Sequence, residues 1–132
     1  MAAKRYIQPK TLHNNPAYTH GVLTHAGLLF ISGQVAKSQD DESVGLGDCK
    51  RQAQQVFENI QSIVTEAGGT MSDIVKLSIY LTDARYLPAY REARASFFTD
   101  PPPASTGVIV SGLASPEWLV EVEAVADLGD SN

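Results

Sequence analysis

The chain has 132 residues, 43% of them apolar and 19% charged, with a net charge of −5. That length suits one domain with a real core. The acidic balance and the scatter of its ten basic residues argue against nucleic acid as a partner, because phosphate affinity comes mainly from clustered Lys and Arg.

A single cysteine, Cys49, rules out an intrachain disulfide and a cysteine metal cluster. No apolar run approaches the roughly 18 residues of a membrane span. The opening MAAKRYIQPK lacks the apolar core of a signal peptide. The expectation is a cytoplasmic protein, one domain over residues 1–132, with no membrane partner.

A short strand is expected at Arg5–Ile7. The stretch "GVLTHAGLLFISGQ" then reads as a hairpin. Its strands are Gly21–Thr24 and Leu28–Ser32, and Gly27 in the turn can take positive φ. The polar, glycine-punctuated "AKSQDDESVGLG" is a loop. Asp48 can cap a helix carrying Ala53, Val56, Phe57, Ile60, Ile63, Val64 and Ala67 on one face. Gly68-Gly69 ends it.

"DIVKLSIYLTD" is a strand, with Ile74, Val75, Leu77, Ile79 and Leu81 among polar residues. A second helix has Leu87, Tyr90, Ala93 or Arg94, and Phe97 at helical spacing, with Pro88 in its first turn. Pro101-Pro102-Pro103 stops it. Two strands follow, near Thr106–Ser111 and Leu119–Ala126. The order predicts an α+β fold, one sheet with two helices on one face. The other face is partly apolar and calls for an oligomeric partner.

No P-loop, G-x-G-x-x-G or H-E-x-x-H motif is present. His13, His20 and His25 lie at loose spacings and read as solvent-facing or interface residues rather than metal ligands. Cys49, beside the first helix start, reads as a half-exposed helix residue rather than a nucleophile. Glu121 and Glu123, two apart on the last strand, point the same way. They either line a solvated face, or one lines a pocket where desolvation raises its pKa and fits it for proton transfer.

"PAYTHGV", "LLFISGQV", "AGGTMSDIVKLSIYLTD", "ASFF", "PAST" and "LVEVEAVA" occur in this order across residues 18–126. In that combination the chain resembles the Rid family (reactive intermediate deaminases, also called YjgF-type or L-PSP proteins). The resemblance implies a chorismate-mutase-like α+β fold. It also implies a homotrimer whose sheets pack into a central barrel, with a small-molecule cleft at each subunit interface. It implies hydrolysis of reactive enamines and imines, such as 2-aminoacrylate, to 2-oxo acids and ammonia with no metal or cofactor.

The family's cleft tyrosine matches Tyr18, and its serine-glycine-glutamine turn matches Ser32, Gly33 and Gln34. Its water-handling glutamate matches Glu121, which leaves Glu123 a structural part. The family's carboxylate-clamping arginine does not match: after Pro102-Pro103-Ala104 stands Ser105, followed by Thr106 and by Gly107, where some members carry a cysteine. The chain thus resembles a branch lacking that arginine.

A hydroxyl cannot replace a guanidinium fork. Two residues are candidates for the altered cleft. Arg91, at a position often occupied by asparagine, either turns inward as a cation or pairs with Glu92 or Glu58 on the surface. Trp118 either walls the cleft or packs at the trimer rim. Backbone N–H groups near Ser105–Gly107 are expected to stabilise developing charge. The alternatives are a non-catalytic trimeric binding or regulatory protein and, less favoured by the acidic charge, an endoribonuclease.

Overall fold

The computed structural model describes residues 3–129; residues 1, 2 and 130–132, at the ends of the expected domain, lie outside the described residues. The elements are β1 (Arg5–Ile7), β2 (Gly21–Leu23), β3 (Leu28–Gln34), α1 (Cys49–Ala67), β4 (Ile74–Leu81), α2 (Leu87–Arg94), β5 (Ala104–Ile109) and β6 (Val120–Asp127). Short 3₁₀ turns, Met71–Asp73 and Ala84–Tyr86, precede β4 and α2.

The six strands form one sheet in the order β1-β2-β3-β6-β4-β5. Among the described strands, only β4 and β5 run parallel. They are joined through α2, as a parallel pair requires. The last strand, β6, therefore sits in the middle, between β3 and β4.

α1 forms where its caps and apolar face predict. Asp48 accepts a hydrogen bond from the Arg51 N–H at 3.0 Å, and Gly68 closes the helix at φ 98°, a left-handed conformation that favours glycine. Ala53, Val56, Phe57, Ile60, Ile63 and Val64 are buried against the sheet. From the sheet, Leu29, Ile31, Leu77, Ile79, Leu81, Val120, Val122 and Ala124 meet them. The Phe57 ring packs 5.4–5.8 Å, centre to centre, from Tyr90, Phe97 and Phe98.

Among the described residues, the other sheet face carries no helix. Lys76, Ser78 and Tyr80 of β4 stand opposite Val125, Glu123 and Glu121 of β6. Phe30 stands opposite Val125 on the other side. Phe30 and Val108 are exposed here.

Four sequence expectations need adjustment. β3 runs two residues further, to Gln34. Val75 is exposed rather than part of the core alternation, because the β4–β6 register slips between Ile74 and Lys76. α2 stops at Arg94, so Phe97 reaches the core from the turn that follows. β5 runs Ala104–Ile109, two residues earlier at each end than the expected Thr106–Ser111. All six of its residues are exposed, so no burial pattern marks its start.

Phe57→Ala is expected to cost about 3–5 kcal/mol, the usual loss for a buried aromatic truncated in a packed core. Urea unfolding at constant m-value measures it.

Candidate active site

Alternation along β6 places Glu121 on the open sheet face, next to an irregularity in β3. The β3–β6 register shifts between Ile31 and Gln34, and Gly33 lies within that shift. A Cβ on Gly33 would stand 2.0 Å from Glu121 Oε2 and 2.9 Å from its Cδ. The carboxylate therefore occupies space that only a glycine leaves.

Glu121 is half-buried, and its pKa is raised above 4.5, first by that burial and then by the negative charge of Glu123. No hydrogen bond to the described residues holds its carboxylate. Glu123 is engaged instead: the Tyr80 hydroxyl donates to its Oε1 at 2.5 Å. Of the two acids, Glu121 is the one free to act on a ligand or water.

A buried polar network backs the irregular end of β3 that faces Glu121. Ser32 Oγ donates to the Thr19 carbonyl at 2.6 Å, and the Ser32 N–H donates to the His20 carbonyl at 2.9 Å. His20 Nε2 lies 2.8 Å from the His13 carbonyl. A carbonyl can only accept, so that nitrogen carries the proton. Nδ1 is then the acceptor for Gln34 Nε2 at 3.1 Å. His20 and Gln34 are both buried. The expectation that all three histidines face solvent or an interface is corrected for His20, whose ring is fully used inside the chain. Tyr18 packs edge-on against that ring at 5.7 Å.

Tyr18, Ser32, Gly33, Trp118 and Glu121 line one open cavity of about 360 Å³, to which the loop after β3 adds Val35 and Lys37. Gln34 stands behind its wall, in the histidine network. Two amides on α1 hold the cavity's flanks. Gln52 Nε2 donates to the Glu117 carbonyl at 2.9 Å, and Gln52 Oε1 accepts from the Leu119 N–H at 2.8 Å; together these contacts bracket Trp118. Asn59 Nδ2 donates to the Val35 carbonyl at 3.2 Å. The sequence reading missed both amides and Lys37. Gln52 and Asn59 interrupt an otherwise apolar face seven residues apart, and that was a usable signal. Lys37 sits in a polar loop that gives none.

The family model described as Endoribonuclease L-PSP matches residues 9–128. The chain belongs to the YjgF/L-PSP/Rid family. A RutC family protein of Pyrococcus horikoshii is 37% identical over 98 residues, spanning 74% of this chain and 77% of that one. A Rid-family protein of Yersinia pestis, described as of unknown function, superposes with a TM-score of 0.88 at 30% identity, over 95% of this chain and 99% of that one. RidA of an Antarctic Psychrobacter gives 0.85 at 30%, over 93% and 98%.

The remaining candidates lie away from this cavity within one chain. Ser105, Thr106 and Gly107 belong to the edge strand β5, with β4 between them and β6. Thr106 accepts a hydrogen bond from Lys76 Nζ at 2.7 Å. Arg91 is exposed on α2, in the helical layer, with the sheet between it and Glu121. The surface partners considered for it are otherwise engaged: Glu92 with Lys50 at 2.8 Å and Glu58 with Arg51 at 3.7 Å.

Cys49 is buried rather than half exposed. Burial, then the Asp48 charge, push its pKa up to about 11, so the thiol stays protonated at neutral pH. Among the described residues, no group of three or more His, Cys, Asp or Glu side chains is placed to hold a metal.

Two expectations follow from the Glu121 environment. In Gly33→Ala the new Cβ displaces the carboxylate toward water, and the Glu121 pKa falls back toward 4.5. Carbon-detected NMR titration of its carboxyl reads this directly, and an unchanged titration would contradict it.

The second concerns stability. A carboxyl with a raised folded pKa contributes stability that is fully present below its unfolded value and lost as pH rises through its folded value. Glu121→Gln is therefore expected to melt higher than the parent at pH 7. That gain should vanish as pH falls below 4.5.

Proposed function

We propose that this Rid-family chain hydrolyses the C=N bond of a small imine, formed directly or from its enamine tautomer, within the Glu121 cavity. The observation that carries this is Glu121 itself. It is a half-buried, unpaired carboxylate of raised pKa, set against a glycine at the cavity wall. A carboxylate with its pKa raised in this way is suited to proton transfer.

In the reaction, the Glu121 carboxylate accepts a proton from water as the water oxygen bonds to the imine carbon. The C=N π electrons move to nitrogen, and Glu121 passes the proton it took from water to that nitrogen, leaving a neutral amino alcohol. Glu121 then takes the hydroxyl proton and delivers it to the amino nitrogen as the C–N bond breaks with its electron pair going to nitrogen. The carbonyl forms and ammonia leaves. The step needs only water and a base. The rate should rise with pH as Glu121 ionises. Tyr18 and Trp118 serve as walls that exclude bulk water.

The assembly belongs to the same proposal. Exposed Phe30 and Val108 on the open sheet face support burial against further copies in a homotrimer. There a neighbouring copy's edge strand would bring Ser105, Thr106 and Gly107 to the cavity, with backbone N–H groups available to developing charge.

Imines generated from a panel of amino acids by an amino-acid oxidase, trapped with semicarbazide, provide the assay. Addition of the protein should lower semicarbazone formation. Glu121→Gln should lose about 10²–10⁴-fold of that effect, the usual range for a general base, while remaining the same oligomer. No effect of a folded, oligomeric parent on any member of the panel would sink the hydrolase reading. Ligand binding without turnover would favour a binding or regulatory protein.

A further inference from the structure

The cavity contains a cation that no arginine motif announces. Among the described residues lining it, Lys37 is the one basic side chain. Its Nζ lies 5.6 Å from the centre of the Trp118 ring, within the range of cation–π attraction. Its loop is tightly tied. The Ser38 N–H donates to the Glu42 carbonyl at 2.8 Å and the Val44 N–H to the Ala36 carbonyl at 2.9 Å.

Ser43 couples this loop to the opposite wall. Trp118 Nε1 donates to Ser43 Oγ at 3.3 Å, and Ser43 Oγ donates to Glu117 Oε1 at 2.6 Å. Lys37 and Trp118 are thus held together in the wall of a cavity that Glu121 also lines, with Asn15, Ser32 and Tyr18 as its other polar side chains.

Asp41, four residues on, pairs with Lys37. It folds back through a left-handed backbone at φ 65°. Asp41 is exposed while Lys37 is largely covered. An ammonium carries three donors, so one contact with Asp41 leaves others for a ligand.

We propose that Lys37 binds the carboxylate of the substrate, with the substrate's apolar side chain against Trp118 and its C=N carbon toward Glu121. This rests on the hydrolase reading for the reaction, but not for the binding. It narrows the substrate class to imines of apolar or aromatic amino acids. The reasons are that the cation is a single point charge, suited to a monoanion, and that the neighbouring walls are Trp118, Val35, Ala114 and the Tyr18 ring.

The test is calorimetric binding of phenylpyruvate, the 2-oxo acid product such an imine would give, and of its methyl ester, which keeps the shape without the charge. The parent should bind the acid at least tenfold more tightly than the ester. A charge-assisted hydrogen bond is usually worth about ten- to a hundredfold in affinity. Lys37→Gln should lose that factor for the acid and leave the ester unchanged.

Asp41→Asn is the control, because it breaks the same ion pair but keeps the cation. It should bind the acid at least as well as the parent. Three outcomes overturn the proposal: no binding of the acid at millimolar concentration, equal binding of acid and ester, or equal weakening of both ligands by Lys37→Gln. Charge-selective binding that depends on Lys37, without imine hydrolysis by the parent, upholds the carboxylate contact and overturns the hydrolase reading alone.

Discussion

The fold depends on the insertion of the last strand between two earlier ones. β6 hydrogen-bonds to β3 on one side and β4 on the other, and its residues alternate between α1 and the open face. Val120, Val122, Ala124 and Ala126 are buried, which commits Glu121 and Glu123 to the other side. A register slip of one residue would drive two carboxylates under α1, at a desolvation cost far above the gain of any new pairing. The core thereby fixes Glu121 opposite Tyr80 and against Gly33 without any contact that serves the carboxylate itself.

The cavity walls depend on the same core in a less obvious way. The loop after β3 pairs only partly with itself, through hydrogen bonds such as Val44 N–H to the Ala36 carbonyl, and the segment before β6 is irregular, so some of their backbone groups are left without a strand partner. Buried groups of this kind must find partners, and α1 supplies them through Gln52 and Asn59. The helix that closes the hydrophobic core is also the frame on which the flanks of the cavity hang. Loss of Gln52 would therefore disturb the Trp118 wall as well as stability.

Legibility followed periodicity. α1 and β6 carry strong side-chain patterns, and both were readable to within a residue or so. β5 was not: it lies at the sheet edge, exposed along its length, so its start leaves no alternation to read. The placement of β6 in mid-sheet was also hidden, since order in space is not a local property. At the site, Tyr18, Ser32, Gly33, Trp118 and Glu121 are legible in the sequence, mostly through family resemblance. Their convergence on one cavity is a tertiary fact. His20 was misread because three scattered histidines look alike in a chain. Only the sequence-distant partners Gln34 and the His13 carbonyl make this one a core residue.

Under the proposed hydrolase reading, with Ser105 in place of the family's arginine, an anionic substrate poses an electrostatic problem that the proposed Lys37 contact would answer. An anionic substrate entering a cavity with an ionised Glu121 meets like charge. At an effective dielectric of about 20, two such charges about 6 Å apart repel by about 3 kcal/mol, enough to abolish useful binding unless a cation compensates. A guanidinium fork would supply both charge and orientation. An ammonium supplies charge but little orientation, since its donors rotate. Orientation must then come from shape, and the indole of Trp118, fixed by Ser43 on one side and by the Gln52 clamp on the other, is the rigid surface placed to give it. In this arrangement the bulk of the substrate's side chain, rather than the geometry of its carboxylate, decides what fits.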